Sequence, residues 1–243
     1  MSVNVGVVLF PGTNCELDVV RAVEQLGADA TLLWHGDESV GGCDAVVVPG
    51  GFAHGDYLRT GAIARFSPVM RAVSVFAADG GPVVGICNGF QVLTEAGLLP
   101  GALQKNAGLR FLCQTAELRV ETSRSVLTGL AVPGSVLRVP INHFEGNYVC
   151  DPDTLRRLRD DDRVVVRYVD NPNGSLDDIA GIANEAGNVV GLMPHPERAS
   201  DPLLGSDDGI VLLRSLLAAA GQPASPFGTE PAPPFGTEPS LSG

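Results

Sequence analysis

The 243-residue sequence contains no CxxC pair, no HxxxH or HxH spacing and no GxxxxGK[ST] loop. It also lacks a long apolar run and is short of positive charge. Each shortage excludes something. The five cysteines, Cys15, Cys43, Cys87, Cys113 and Cys150, are odd in number and unpaired in spacing. They favour neither a disulfide framework nor a cysteine metal cluster, and a reducing, cytoplasmic setting is expected. Four histidines without ligand spacing give no reason to assign a metal. Without a phosphate-cradling loop no residue is assigned to ATP. Sixteen basic residues against 28 acidic ones leave a formal charge of -12, which weighs against a general nucleic-acid surface. No apolar stretch approaches the roughly 18 residues of a membrane span. The opening MSVNVGVVLF has no basic region before it and breaks at Pro11-Gly12. It reads as a first core strand and not as a secretion signal.

What is present is a chain long enough for one large domain, 44% hydrophobic and 18% charged. Val3–Phe10, Ala30–Trp34, Asp44–Val48 and Pro82–Ile86 are short runs rich in β-branched residues, suited to buried parallel strands. Helical patterns lie between them. Thr13 to Glu16 matches a capping box opening a helix that Gly27 closes. Strand–helix–strand repetition predicts a three-layer α/β domain, with helices on both faces of an open, mostly parallel sheet of flavodoxin-like type. Further along, Leu118–Val120, Val136–Pro140 and Arg163–Val169 read as strands, and Leu155–Leu158 opens a short helix. Ile179–Ala183 and Asn188–Leu192 read as a hairpin, and Ile210–Ala220 as the last helix. One domain over residues 1–221 is expected. Residues 222–243 repeat PFGTEP and are rich in proline and glycine. They read as a disordered tail, or as a docking segment ordered by a partner.

In GICNGF, Gly85–Phe90, a strand reading runs into a helix reading at Cys87. A sharp strand-to-helix turn needs small residues on both sides, which Gly85 and Gly89 supply. It lifts the thiol above the sheet edge and aims helix N-terminal amides at it, a setting that favours a thiolate. An inert buried cysteine fits the glycines equally well. A nucleophile needs a base and an orienting acid. His195-Pro196-Glu197 follows an apolar run, and residues two apart in an extended segment face one way. Alone, the tripeptide also reads as a surface loop. Pro49-Gly50-Gly51 ends another strand, and amides near Gly51 and at Asn88 could meet an oxyanion. In isolation the same tripeptide is a turn.

Taken together, PGGF at Pro49–Phe52, GICNGFQ at Gly85–Gln91 and MPHPER at Met193–Arg198 resemble the motifs of class I, or triad, glutamine amidotransferases. With VLFPGTNCE, PGGFAHGDYLRTGAIARF, GICNGFQVLTEAGLLPGAL, HFEGNY and GLMPHPERA, the chain is similar over about residues 3–220 to the family of glutaminase subunits of phosphoribosylformylglycinamidine synthase. The resemblance implies Cys87 as nucleophile, His195 as base, Glu197 as orienting acid, and the amides of Gly51 and Asn88 as the oxyanion hole. It implies hydrolysis of L-glutamine to glutamate and ammonia through a glutamyl thioester. The ammonia passes to a large synthetase subunit that uses ATP and Mg2+ to make formylglycinamidine ribonucleotide in purine biosynthesis. A small scaffold subunit joins the two, and this chain binds no cofactor, nucleic acid or membrane.

Other residues are read around that core. Phe52, His54, Asp56, Tyr57, Arg59, Gln91 and His143 are candidates for the glutamine pocket or for coupling to the synthetase. Ala53-His54 stands where the family often has Ser-Tyr, and His54 reads as a rim residue. GDYLR reads either as a synthetase contact or as a loop satisfied by an Asp56–Arg59 pair. His143 reads as an active-site wall, His35 as a loop or interface residue, and Glu16 as the helix cap. Two other classes stay in view: a standalone cysteine amidase of this fold, and a non-catalytic flavodoxin-like binding subunit.

Overall fold

A computed structural model of the chain describes residues 2–222. Among them are eleven strands: β1 (Asn4–Leu9), β2 (Asp29–Trp34), β3 (Ala45–Val48), β4 (Val83–Ile86), β5 (Ala102–Gln104), β6 (Leu112–Val120), β7 (Val136–His143), β8 (Asn147–Val149), β9 (Val164–Tyr168), β10 (Ile179–Ala183) and β11 (Val189–Leu192). The α-helices are α1 (Glu16–Gln25), α2 (Pro68–Ala78), α3 (Asn88–Glu95), α4 (Pro152–Asp160) and α5 (Ile210–Ala219). Nine strands form one sheet, ordered β2-β1-β3-β4-β11-β10-β9-β6-β7, and β5 pairs with β8. The run from β2 to β11 is parallel. The run from β11 to β7 is antiparallel. The expected open, mixed α/β sheet is therefore present, as is the β10–β11 hairpin.

Every residue of β3, β4, β10 and β11 is buried. Val and Ile dominate these strands, as they must where both faces of a sheet are covered. α1 packs on β1 and β2, and α3 packs on β3, β4 and β11. By contrast β7 alternates exposed or half-buried with buried positions, so one face meets solvent.

The structure corrects several local readings. The capping box at Thr13–Glu16 does not form. Thr13 Oγ1 accepts from the Phe10 amide at 3.0 Å, and Thr13 bridges to Gly51. α1 starts after Cys15 with no side-chain cap, and Glu16 Oε2 is buried without a partner. Tertiary pairing of the β1–α1 turn thus overrides the local signal. β6 begins six residues earlier than expected, through the exposed Cys113, Gln114 and Thr115, which give no buried-strand signal. β7 runs on past Pro140. It is the sheet edge, where a missing N–H costs no ladder bond. α3 begins at Asn88, directly after the thiol. The three-residue strands β5 and β8, and α2, were not anticipated individually. The tail lies outside the described residues from 223 onward. No helix among the described residues is long and apolar enough to cross a membrane.

Candidate active site

Three neighbouring parallel strands, β3, β4 and β11, deliver the expected site residues from their C-terminal ends. Gly51 lies three residues beyond β3, Cys87 one beyond β4 and His195 three beyond β11. Open α/β sheets present ligands at this edge. Cys87 takes the elbow conformation, with φ 51° and ψ -106°. Positive φ is costly for a residue with a Cβ and persists where the surroundings enforce it. Here the Cys87 amide is held by Leu192 O at 2.8 Å, and helix α3 starts at the next residue. α3 approaches β3 so closely that a Cβ on Gly89 would lie 1.8 Å from Val48 O. The expected need for a small residue after the thiol is thus a backbone contact.

His195 and Glu197 are both buried, and Nδ1 lies 2.6 Å from Glu197 Oε1. The pair meets across a short 3₁₀ turn, Pro196–Arg198, and not along an extended segment as expected. The carboxylate fixes Nδ1 as the protonated nitrogen. Nε2 makes no hydrogen bond. Burial acts to lower the His195 pKa. The charge of Glu197, then that of Cys87, with the sulfurs of Cys15 and Cys87 close by, outweigh it and raise the pKa well above its ordinary value. The ring is therefore disposed to hold a proton beside a thiol. Gly50 sits in this cluster: a Cβ there would lie 2.8 Å from His195 Cε1 and 3.5 Å from Cys87 Cβ.

The amides of Gly51 and Asn88 donate to no other group among the described residues. Gly51 takes φ 144°, open only to glycine without strain. The Asn88 side chain holds both neighbouring loops. Its Oδ1 accepts from the Ala53 amide at 2.9 Å, and its Nδ2 donates to Asp56 Oδ1 at 3.0 Å and Gln91 Oε1 at 2.8 Å. Free amides, a thiol and a buried His–Glu pair form the constellation needed for acyl transfer.

A cavity of about 120 Å³ opens beside Cys87. Among the predicted residues, Phe52, Asp56, Gln91 and His143 line it, together with Glu145 and Phe111. Gln91 is buried and donates to Glu145 O. His54 does not reach the cavity. It packs on Phe10 and His35 and meets Ser67 Oγ at 3.4 Å. The Asp56–Arg59 pair is absent: Arg59 binds Glu95 in two-pronged fashion, at 2.5 and 2.6 Å. Tyr57 and Leu58 project outward, 73% and 91% exposed.

Three contributors escaped the sequence reading. Cys15 Sγ accepts from Arg198 Nη2 at 3.2 Å, and its thiol adjoins His195. Arg198 also pairs with Asp18 at 3.1 Å, tying α1 to the His195 turn. Asn106 orients His143 through an Oδ1–Nδ1 contact of 3.1 Å. The only sequence signal for Cys15 was its place in the VLFPGTNCE match; Asn106 offered none. Ligand atoms of Cys15, His195 and Glu197 lie within 4.8 Å of one another. Glu197 is engaged on Nδ1 and a guanidinium sits on Cys15, so the cluster suits proton transfer better than a cation.

Residues 2–207 match the CobB/CobQ-like glutamine amidotransferase domain. At 59% identity over 216 residues, the chain is similar to the phosphoribosylformylglycinamidine synthase subunit PurQ of Rubrobacter xylanophilus, covering 89% of this chain and 98% of that one. The PurQ subunit of Koribacter versatilis is 54% identical over 224 residues, covering 88% and 97%. A chain of the Thermotoga maritima PurLQS structure superposes with a TM-score of 0.84 at 40% identity, covering 90% of this chain and 99% of that chain. The chain belongs to the CobB/CobQ-like glutamine amidotransferases and, within them, to the family of PurQ subunits of phosphoribosylformylglycinamidine synthase.

Proposed function

We propose that this chain is the glutaminase subunit of a phosphoribosylformylglycinamidine synthase, with Cys87, His195 and Glu197 as its triad. The observation that carries the reading is the elbow at Cys87 beside the buried His195–Glu197 pair. The Cys87 thiol passes its proton to His195, and Sγ attacks the side-chain amide carbon of L-glutamine. The amides of Gly51 and Asn88 receive the developing oxyanion. Protonated His195 gives its proton to the departing nitrogen, so the C–N bond breaks as the C–S bond persists. Ammonia leaves and a glutamyl thioester remains. Neutral His195 then takes a proton from water, whose oxygen attacks the thioester, releasing glutamate and restoring the thiol. Glu197 holds the imidazole in one tautomer throughout.

The ammonia serves a large PurL-like synthetase subunit, where ATP and Mg2+ act, and a small PurS-like subunit completes the assembly. The PurLQS relative supports this grouping. No residue here is assigned to ATP, a metal or another cofactor. Five free cysteines, Cys87 among them, support a reducing cytoplasmic setting.

The test compares nitrogen sources. The chain is assembled with its synthetase and small subunits, ATP and formylglycinamide ribonucleotide, as wild type and as Cys87→Ala. The expected variant forms product from ammonia but not from glutamine. Undiminished glutamine use by Cys87→Ala would sink the assignment and favour a binding subunit. Full glutamine turnover by the chain alone would favour a standalone amidase.

A further inference from the structure

We infer that Cys15 is a positioning residue for the proposed triad: its sulfur occupies the Arg198 guanidinium and keeps that cation off Glu197, so that the carboxylate serves His195 alone. The inference rests on the glutaminase reading and extends it to the groups behind the His195–Glu197 pair.

Glu197 and Arg198 are consecutive residues of one 3₁₀ turn. A guanidinium beside a carboxylate commonly takes it in a two-pronged pair. Here it does not. Glu197 Oε1 meets His195 Nδ1 at 2.6 Å, and Oε2 is buried without a partner among the described residues. Arg198 turns to the start of α1 instead. Its Nε donates to Asp18 Oδ2 at 3.1 Å and its Nη2 to Cys15 Sγ at 3.2 Å. The Asp18 pair is 31% and 36% exposed, so solvent weakens it. The sulfur is the buried end of the arrangement. Burial works to lower the Arg198 pKa; the neighbouring sulfur and carboxylates, Glu197 among them, raise it overall. The guanidinium is therefore within electrostatic reach of Glu197. Without the sulfur, Nη2 has a donor to satisfy and Oε2 is an anionic acceptor still free.

The thiol is placed for this task. Its proton goes to Asn14 Oδ1 at 3.2 Å, which leaves sulfur lone pairs to the guanidinium. The Cys15 amide is anchored on Gly50 O at 3.3 Å. No side chain at Gly50 separates sulfur from ring: a Cβ there would lie 3.1 Å from Cys15 Sγ and 2.8 Å from His195 Cε1. A thiol thus holds the cation without adding a carboxylate beside His195. The other titratable groups near the pair are Cys87 after β4 and His143 at the end of β7.

The sign of the effect follows. Burial works against a charge on His195, and the negative charge of Glu197 is the chief opposing influence. A guanidinium on Oε2 would cancel much of that influence, and the imidazolium would lose its proton at a lower pH. Departure of ammonia draws on that proton, so the alkaline limb of kcat/KM would move down with it.

The experiment uses the assembled synthetase complex and measures kcat/KM for glutamine from about pH 6 to about pH 10. Each value is divided by the ammonia-dependent rate of the same protein at the same pH, so that a loss of folded material cancels. Relative to wild type, Cys15→Ala should move the alkaline limb down by at least about half a pH unit. Cys15→Ser keeps an acceptor for Nη2 and should hold the limb near its wild-type place. Cys15→Ala combined with Arg198→Met removes the competing cation and should return the limb to the wild-type value or above, a reversal that loss of packing would not produce. Should Cys15→Ala not assemble, Cys15→Val removes the acceptor at a closer volume and carries the same expectation. A limb left in place by the single variant, or still lowered in the double variant, overturns the inference and leaves the glutaminase intact. If Cys87→Ala releases ammonia from glutamine as fast as wild type, the glutaminase reading itself fails and the inference falls with it.

Discussion

Burial alone would discharge both histidines of the site, yet their partners send them in opposite directions. At His195 the carboxylate and thiol outweigh burial and the pKa rises; at His143 burial prevails, the charge of His195 adds to it, and the pKa falls to about 4. The signs follow from linkage. Between pH 6.5 and about 4 the unfolded chain binds a proton at residue 143 that the folded chain refuses. The stability supplied by neutral His143 is therefore present above 6.5 and lost as pH falls through this window, by about 3 kcal/mol at most. Asp56 works against this, since its raised pKa lets the folded chain take up a proton near pH 6. His195 acts on the alkaline side: its contribution is full below 6.5 and fades as pH climbs through its raised value. Urea unfolding of wild type and His143→Gln at pH 7 and pH 4.5 should isolate the first effect. The variant should lose less stability on acidification, and equal losses would contradict it. The proposed triad was legible because its candidate nucleophile and base sit in punctuated motifs. Asn106 and the true partners of Asp56 and Arg59 were not, because those contacts join a loop residue to a helix or strand residue 32 to 37 positions away.

At the scale of the element, the decisive contact is between α3 and β3. Gly89→Ala would drive a methyl into Val48 O, and a backbone carbonyl cannot swing aside as a side chain can. Helix and elbow would have to shift together. The expected cost is about 3 kcal/mol or more, read as a lower denaturation midpoint with an unchanged m-value, and glutamine-dependent activity should be lost with it. A neutral effect would mean that α3 is not seated as described. The same scale shows which elements a sequence reveals. Continuous Val and Ile runs expose β1, β3, β4 and β11 directly. β6 hides because Gln114, Glu117 and Arg119 face solvent within it. The Thr13–Glu16 signal misleads because β-bridge pairing with Gly51 recruits Thr13 first.

Across the whole molecule, apolar side chains stay exposed near the cavity mouth. Phe52 and Phe111 line it, and Tyr57 and Leu58 project from the adjoining loop. Solvated loops rarely carry such a group without a partner. Under the proposed assembly, Tyr57→Asp with Leu58→Glu should weaken association with the synthetase subunit at least about tenfold in sedimentation, leaving the thermal midpoint of the isolated chain in place. Unaltered association would remove this loop from the contact.

The order of the sheet also has a consequence in time. β4 and β11 are hydrogen-bonded neighbours, yet more than a hundred residues separate Cys87 from His195 in the chain. Everything from β5 to β10 is made in between. A ribosome building this protein from its N-terminus therefore exposes the Cys87 thiol and the amides of Gly51 and Asn88 long before the His195 imidazole exists. Until the last sheet strand docks the proposed triad is incomplete, and the pairing of β11 with β4 both joins the parallel and antiparallel halves of the sheet and brings the proposed reacting groups together.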